Sequence, residues 1–186
     1  MPKKPAVLRD WVMSSDEIDI EFVLKPNHSY YIGRDPPLER GYCPILVLYR
    51  YNPQRHPNKD KEERGRAVSK LQGKLKLDER GNVYFTQESE NSSTYLMKES
   101  ELKGKLTVLT REIILHNLVH LLDETHRIYA GVTEQLFTGD FLVFGGVYPM
   151  QYIGNVDSVS EESLKRGVRK SDTEVIKIPE EFLKRL

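Results

Sequence analysis

The sequence predicts an all-β domain with one helical segment and a polar C-terminal tail. Short alternations of apolar and polar residues, separated by Gly, Pro, Asn and Asp, recur up to residue 153 and indicate strands joined by turns. Residues 110–130 break this pattern, because their apolar side chains recur with helical spacing. From about Asp157 the chain is rich in serine and in charged residues, a composition typical of weakly structured segments.

The first predicted strands lie within residues 18–51. IDIEFVLK alternates apolar with polar side chains and places Ile20, Phe22 and Leu24 on one face. A proline–asparagine turn then leads into a second strand at YYIG. CPILVLYRY, residues 43–51, is apolar and rich in β-forming residues, so we expect a buried strand there. The next segment, NPQRHPNKDKEERGR, carries two prolines and mixed charge and is expected to be a solvated loop.

The later strands follow the same logic. SKLQGKLKL places Leu71, Leu75 and Leu77 on one face, and VYFTQ returns the chain after the turn DERGN. QLFTGDFLVFGG, residues 135–146, predicts two strands around a glycine–acid turn. YPMQYI is the last predicted strand.

A helix is predicted over about residues 111–128, with Thr110 as its N-cap. Its apolar stripe consists of Ile114, Leu118, Leu121 and Leu122. His116 and His120 lie with Glu112 and Glu124 on a second stripe, which we expect to face solvent. The i, i+4 histidine spacing also fits metal ligands, so a metal-dependent enzyme is a second class of function. HNLVH lacks the glutamate of H-E-x-x-H, however, and places no general base between the histidines.

The composition restricts the remaining possibilities. The chain has 186 residues, with 28 basic and 28 acidic side chains, which argues against a strongly basic nucleic-acid-binding surface. Its one cysteine, Cys43, excludes an internal disulfide and indicates a reducing compartment. The N-terminus has no apolar signal-peptide region, and no apolar run is long enough to span a bilayer. We therefore expect a cytoplasmic protein, or a nuclear one in a eukaryote.

Four short motifs occur in a fixed order at the ends of predicted strands. They are Gly33-Arg34, RAVSKLQG at 66–73, SENSSTYL at 89–96 and TGDFLVFG at 138–145. In this order they resemble the forkhead-associated (FHA) domain family, which carries Gly-Arg, then Ser-x-x-His, then Asn-Gly-Thr-Tyr or a variant, then a late Gly-Asp. The resemblance covers residues 18–153.

The resemblance implies an FHA/SMAD-like β-sandwich of eleven strands, with the inserted helix and a flexible C-terminal tail. The domain would span residues 18–156, after an N-terminal segment, 1–17, and before a polar tail, 157–186, with a possible short helix at IPEEFLKRL. The implied function is non-catalytic recognition of a phosphothreonine-bearing protein or peptide, in Ser/Thr-kinase signalling or phosphorylation-dependent assembly. No cofactor, metal or membrane is implied, and direct nucleic-acid binding is not expected.

The resemblance assigns the phosphopeptide site to five residues. Arg34 and Ser69 would hold the phosphate, and Lys70 would lie beside it. Asn91 would hold the peptide main chain, with Ser92 as the other candidate for that position. The residue types suit these roles, because arginine offers a planar donor fork that stays charged and serine adds a short hydroxyl donor. Asparagine tolerates turn conformations and donates through its amide.

Two positions depart from the family motifs. Gln72 stands where the family has a histidine that braces the loop, and we expect it to keep one hydrogen bond but not the ring packing. The Asn-Gly pair is also missing: counting back from Thr94 selects Ser92, whereas one extra turn residue selects Asn91. These departures leave open a degenerate FHA-like scaffold that binds proteins without phosphate.

The polar tail supplies a possible ligand of its own. Thr173 is followed by Glu174, Val175 and Ile176 in a stretch expected to be exposed. A phosphate on Thr173 would add charge and acceptor oxygens, and the modified tail would then compete for the site of the same or a neighbouring chain. Between chains this binding would give phosphorylation-dependent self-association, and a tail without any such role is the alternative.

Overall fold

The computed structural model describes residues 5–15, 19–48, 51–106, 110–155, 168–170 and 174–176. The strands in these residues are β1 Ala6–Asp10, β2 Ile20–Leu24, β3 Ser29–Gly33, β4 Tyr42–Leu46, β5 Gly73–Leu77, β6 Val83–Gln87, β7 Thr94–Met97, β8 Arg127–Ile128, β9 Thr133–Leu136, β10 Phe141–Phe144, β11 Tyr148–Asn155, β12 Val168–Lys170 and β13 Glu174–Ile176. The helices are α1 Lys59–Arg66, α2 Glu99–Lys105 and α3 Arg111–Leu121. No helix in this part of the chain is long and apolar enough to cross a bilayer.

The strands form two sheets. One has the order β13-β12-β2-β1-β11-β10-β7-β8, and the other has the order β4-β3-β5-β6-β9. Neighbouring strands are antiparallel, except that β3 and β4 run parallel with Ser29 opposite Tyr42. Strands β1 to β11 lie between Ala6 and Asn155 and equal in number the eleven that the resemblance implied. The predicted β-sandwich is confirmed.

The core lies between the two sheets. It contains fully buried side chains from both sheets, among them Leu8, Ile32, Leu75, Phe85 and Phe144. Each sheet therefore turns an apolar face inward, the arrangement that removes most apolar surface from water in a two-layer fold. Burial of each such side chain contributes roughly 1.5–3 kcal/mol.

A second apolar cluster lies on the outer face of the larger sheet. Helices α2 and α3 place Leu102, Ile114 and Leu118 against Phe141 and Val143 of β10. The residues that alternate with these two on β10 instead belong to the core between the sheets. All four residues of β10 are buried for this reason, because both faces of the strand are covered.

Helix α3 begins as predicted and ends early. The side-chain oxygen of Thr110 accepts a hydrogen bond from the amide of Ile113, at 3.4 Å, which confirms the N-cap. The predicted end near residue 128 is wrong, because Leu122 has an extended backbone with ψ of 141°. The Asp123 side chain then caps a short 3-10 helix, Glu124–His126. Residues 123–127, DETHR, contain no apolar side chain that could extend the buried stripe of the helix.

Two helices lie where none was predicted. Helix α1 occupies the segment expected to be a solvated loop, and the Asn58 side chain caps it by accepting from the amide of Lys61. Its acids stand in the first turn and its arginines in the last, as the helix dipole favours. Helix α2 precedes α3 between β7 and β8. Helical insertions thus separate Arg34 from Ser69 and Tyr95 from Gly139.

Strand β4 is shorter and less buried than CPILVLYRY predicted. It ends at Leu46, and four of its five residues are only partly buried. The strand forms the edge of the smaller sheet, next to β3 alone. An edge position tolerates Pro44, which has no amide hydrogen to donate to a further strand.

The larger sheet includes strands from both sides of residues 18–156. Strand β1 lies within the segment 1–17 and is inserted between β2 and β11, so the sheet includes part of that segment. Strands β12 and β13 lie within the segment 157–186, and β12 pairs with β2 with Val168 opposite Phe22. Thr173 and the helix predicted at IPEEFLKRL lie outside the described residues.

Candidate functional site

The end of strand β3 requires a glycine. A Cβ atom at Gly33 would lie 2.1 Å from the carbonyl oxygen of Lys70 and 3.0 Å from the amide nitrogen of Gln72. Atoms of real side chains do not approach a backbone so closely, so only glycine lets β3 lie against this segment. The glycine of the Gly-Arg motif thus brings the residue after it next to the segment before β5.

Arg34 is joined to Ser69 through the backbone. The Arg34 amide donates to the Ser69 carbonyl oxygen at 2.9 Å, and the Asp35 amide donates to the carbonyl oxygen of Lys70 at 3.0 Å. The side chains of Arg34 and Lys70 are exposed. Within the described ranges, neither cationic group makes a hydrogen bond or an ion pair. Two cations on a fixed backbone are therefore free to receive an anion from outside the chain.

Ser69 is half-buried between two loops. Its amide donates to the side-chain oxygen of Gln72 at 3.0 Å, and its hydroxyl oxygen lies 2.5 Å from the hydroxyl oxygen of Ser89. Gly73 and Gln87 face each other across β5 and β6, so both loops meet at the same end of the smaller sheet as Arg34. Ser69 thereby links the β3 end to the loop before β7.

Gln72 braces both loops from a fully buried position. Its side-chain amide donates to the Ser92 carbonyl oxygen at 3.1 Å, to the Thr94 hydroxyl at 2.9 Å and to the Gln87 side-chain oxygen at 3.4 Å. With the bond from Ser69, the side chain makes four hydrogen bonds. Gln72 thus makes more than the one hydrogen bond expected of it, because its side-chain amide offers two donor hydrogens and an acceptor oxygen.

The loop between β6 and β7 carries the two candidates for the asparagine position. The backbone amide of Asn91 donates to the Ser89 hydroxyl oxygen at 3.2 Å, whereas the side-chain amide of Asn91 is exposed. The Ser92 hydroxyl donates to the carbonyl oxygen of Ala67 at 2.7 Å and ties this loop to the segment after α1. Of the two candidates, Asn91 is thus the one whose side chain is available to a ligand.

The base of this loop is held by an ion pair. Lys74 on β5 donates to the carboxylate of Glu88 at 2.9 Å. This hydrogen bond raises the pKa of Lys74. The pair fixes the start of the loop against the neighbouring strand and balances the charge of Glu88 beside the Arg34–Ser69 segment.

The late Gly-Asp motif is structural. Gly139 has φ of +93°, and the Asp140 carboxylate accepts from the Phe137 amide at 2.8 Å and from the Lys98 ammonium at 2.7 Å. Asp140 is almost fully buried. The motif therefore closes the turn between β9 and β10 and ties it to the residue that precedes α2.

Two other groups of residues do not contribute to this site. The Arg64 guanidinium donates to Asp60 and to the carbonyl oxygens of Val147 and Leu115, so it joins α1 to neighbouring segments. His116 and His120 are exposed on α3. The described residues contain no group of three or more His, Cys, Asp or Glu side chains that could hold a metal ion.

The five predicted site residues thus lie on connected loops at one end of the smaller sheet. The side chains of Arg34, Lys70 and Asn91 are exposed, whereas the half-buried hydroxyls of Ser69 and Ser92 contact Ser89 and the Ala67 carbonyl oxygen. Ser89 was not predicted, although it lies two residues before Asn91, where a serine commonly stabilises a turn. The bracing role of Gln87, which donates to the carbonyl oxygens of Ser89 and Ser92, had no signal in the sequence.

The fold is a two-sheet β-sandwich with a cluster of exposed hydrogen-bond donors on the loops at one end. Solved structures of FHA domains are similar to it. They include the FHA domain of CT664 protein from Chlamydia trachomatis, with 12% identity, TM-score 0.45, and coverage of 83% of this chain and 99% of that one. The FHA domain of an Arabidopsis thaliana hypothetical protein has 12% identity and TM-score 0.44, covering 86% of this chain and 93% of that one.

A third similar structure is the yeast Dun1 FHA domain in complex with a doubly phosphorylated peptide derived from Rad53. It has 13% identity and TM-score 0.41, and covers 86% of this chain and 82% of that one. No family model matches the sequence, and no curated protein matches it.

Proposed function

We propose that this chain is a non-catalytic module that recognises a phosphothreonine-bearing protein through the loops at the end of β3, β5 and β6. One observation carries the proposal. The exposed guanidinium of Arg34 has no acceptor within the described residues, and its backbone is bonded to that of Ser69 at 2.9 Å. The sequence motifs that resemble FHA domains fall on these same residues.

The chemistry of the cluster suits a phosphate. A phosphorylated side chain carries about −1.5 to −2 charges and three strong acceptor oxygens. The Arg34 fork binds two of these oxygens at once, Ser69 donates through its hydroxyl, and Lys70 adds a second positive charge. All of these groups donate, and an anion that only accepts is their complementary ligand.

Asn91 completes the proposed site. Its exposed side-chain amide stands on a turn that Ser89 closes, and Ser89 is in contact with Ser69. From this place the amide would bond the main chain of the peptide that carries the phosphothreonine. Phosphate and peptide backbone would then be held by two loops whose relative position the buried Gln72 fixes.

The context that follows is Ser/Thr-kinase signalling or phosphorylation-dependent assembly. A kinase creates the ligand, and binding then depends on the added charge rather than on a permanent surface of the partner. The alternative is a scaffold that binds proteins without phosphate. A direct comparison of phosphorylated and unphosphorylated peptides distinguishes the two, because such a scaffold would not require the phosphate.

The test is a peptide library with a fixed central phosphothreonine, compared with the same library carrying threonine. We expect binding only to the phosphorylated peptides. Arg34→Ala should abolish it, since loss of a desolvated, charge-assisted contact costs ~2–5 kcal/mol. Arg34→Lys should weaken it, because an ammonium cannot reproduce the fork.

Arg40→Ala is the matched control, because Arg40 is another exposed arginine in the connection between β3 and β4. It should bind as the wild type does. Equal binding of both libraries, or unchanged affinity in Arg34→Ala, would contradict the proposed function. Melting curves of all variants should coincide with that of the wild type, since neither arginine side chain contributes to the core.

A further inference from the structure

Two serine hydroxyls meet at the centre of the candidate site, and their other hydrogen bonds determine which one donates to the other. The Oγ atoms of Ser69 and Ser89 are 2.5 Å apart, and distance alone lets either one donate. The Ser89 oxygen also accepts from the backbone amides of Asn91, at 3.2 Å, and Ser92, at 3.1 Å. A serine hydroxyl has two lone pairs and one proton. Both lone pairs of Ser89 are used, so its proton goes to Ser69.

The consequence for Ser69 is that its own proton is free. Its oxygen accepts from Ser89, its amide is bonded to Gln72, and its carbonyl oxygen is bonded to the Arg34 amide. No acceptor in the described ranges takes the hydroxyl proton of Ser69. The O–H bond is therefore the remaining polar group with which Ser69 can reach a ligand.

We infer that Ser89 is a positioning residue that holds Ser69 in the donor state and directs its proton towards a bound phosphoryl oxygen. This inference rests on the proposed function and adds a residue to it. Without Ser89, the Ser69 hydroxyl would be free to rotate, and it would also offer lone pairs to the site. With Ser89, one of these lone pairs is occupied, and the Ser69 proton is left for the ligand. Donation into the Ser69 oxygen further strengthens the bond that Ser69 donates, because chained hydrogen bonds polarise one another.

The same bonds couple the two halves of the site. Ser89 closes the turn that presents Asn91, and it fixes the hydroxyl of Ser69. A purely structural role in the turn and a role exerted through Ser69 predict different results when both serines are changed. A double-mutant cycle separates them, because residues that act through one contact do not give additive effects.

The experiment measures the affinity of a labelled phosphothreonine peptide, selected from the library, for four proteins: wild type, Ser69→Ala, Ser89→Ala and the double variant. Ser89→Ala should weaken binding about three- to tenfold, the usual effect of one hydrogen bond. In the Ser69→Ala background, the further loss should be less than about twofold. Ser93→Ala, a nearby serine of the same loop, is the control and should leave the affinity unchanged.

If Ser89→Ala melts too low for binding measurements, the cycle is measured at a lower temperature, at which all four proteins are folded. An equal loss in both backgrounds, with wild-type binding still phosphate-dependent, overturns the inference and leaves the proposed function standing. A wild type that does not distinguish phosphorylated from unphosphorylated peptide overturns the proposed function, and the assignment of Ser89 with it.

Discussion

Gln72 accepts a hydrogen bond from the backbone amide of Ser69 through its side-chain oxygen, at 3.0 Å. The nitrogen of the same side chain donates to the Ser92 carbonyl oxygen and to Thr94. The oxygen of this buried side-chain amide thus bonds the loop before β5, and its nitrogen bonds the loop before β7. This side chain thus helps to set the spacing of the two loops, and hence of Ser69 and Asn91, together with the contact between Ser69 and Ser89.

Replacing Gln72 by alanine should therefore destabilise the fold and weaken peptide binding together. The change leaves the Ser69 amide and the partners in the other loop without their bonds in a buried place, at a cost of about 2–4 kcal/mol. Urea unfolding and peptide titration measure the two effects. Gln54→Ala, at an exposed glutamine, should alter neither. Full stability in Gln72→Ala would show that water replaces the lost bonds.

Gly33→Ala should separate β3 from the segment that carries Lys70. The added Cβ would lie 2.1 Å from the Lys70 carbonyl oxygen, so the backbone must move and both stability and binding should fall. Gly104→Ala is the matched control. No atom lies within 4 Å of a Cβ there, and the residue is in helix α2, so alanine should stabilise by ~0.5–1 kcal/mol. A wild-type melting temperature in Gly33→Ala would be inconsistent with the close approach.

Leu118→Ala should destabilise the fold by ~2–5 kcal/mol. Leu118 is fully buried in the cluster between α3 and β10, and its truncation leaves a cavity. His120→Ala, at an exposed position on the same helix, should be nearly silent in the same thermal unfolding assay. A zinc-dependent rise in melting temperature that disappears in His116→Ala or His120→Ala would instead favour the metal-binding hypothesis.

Asp10 should make stability depend on pH. Its carboxylate accepts from the amides of Val12 and Met13 and from the Tyr148 hydroxyl at 2.7 Å. Burial nevertheless raises its pKa from 3.8 to about 6. The folded state therefore binds this proton more tightly than the unfolded state. The resulting stabilisation, about 3 kcal/mol, is complete below pH ~4 and is lost as pH rises to about 6.

Comparison with Asp10→Asn isolates this contribution. The pKa values of Asp78 and Asp123 are lowered by hydrogen bonds to their side chains, so these groups produce the opposite slope in both proteins and cancel in the difference. Urea unfolding between pH 4 and pH 7 should show that the stability of wild type relative to Asp10→Asn falls with rising pH. A constant difference would mean that Asp10 titrates near its ordinary pKa in the folded protein.

The sequence predicted the strands whose two faces differ. Strands β5 and β6 alternate cleanly, and glycine-containing turns mark the ends of β9 and β10. It did not predict α1, because a helix with one buried residue has no apolar stripe to detect. It did not predict β1 either, since this five-residue strand is stabilised by pairing with β2 and with distant β11 rather than by an alternating pattern of its own.

The candidate site was predictable only in part. Arg34, Ser69 and Asn91 were found because the order of motifs resembles a family, and nothing in their spacing alone places them together. The hydrogen bonds that orient them come from Gln72 and Ser89, which lie in different loops. Such contacts depend on how strands align across the sheet, and a glutamine or serine in isolation gives no sign of them.

The position of β1 also governs how this protein can be made. Asp10 pairs with Ile20 on one side and with Met150 on the other. During synthesis the β2 partner emerges almost at once, whereas β11 follows about 140 residues later, roughly 10–30 s at ordinary ribosomal rates. For that time neither edge of the nascent β1–β2 hairpin has its partner strand, because β12, which pairs with β2, follows β11 in the chain. The ribosome-bound chain is then open to pairing with other polypeptides. Completion of the larger sheet therefore has to wait until β11 has been synthesised.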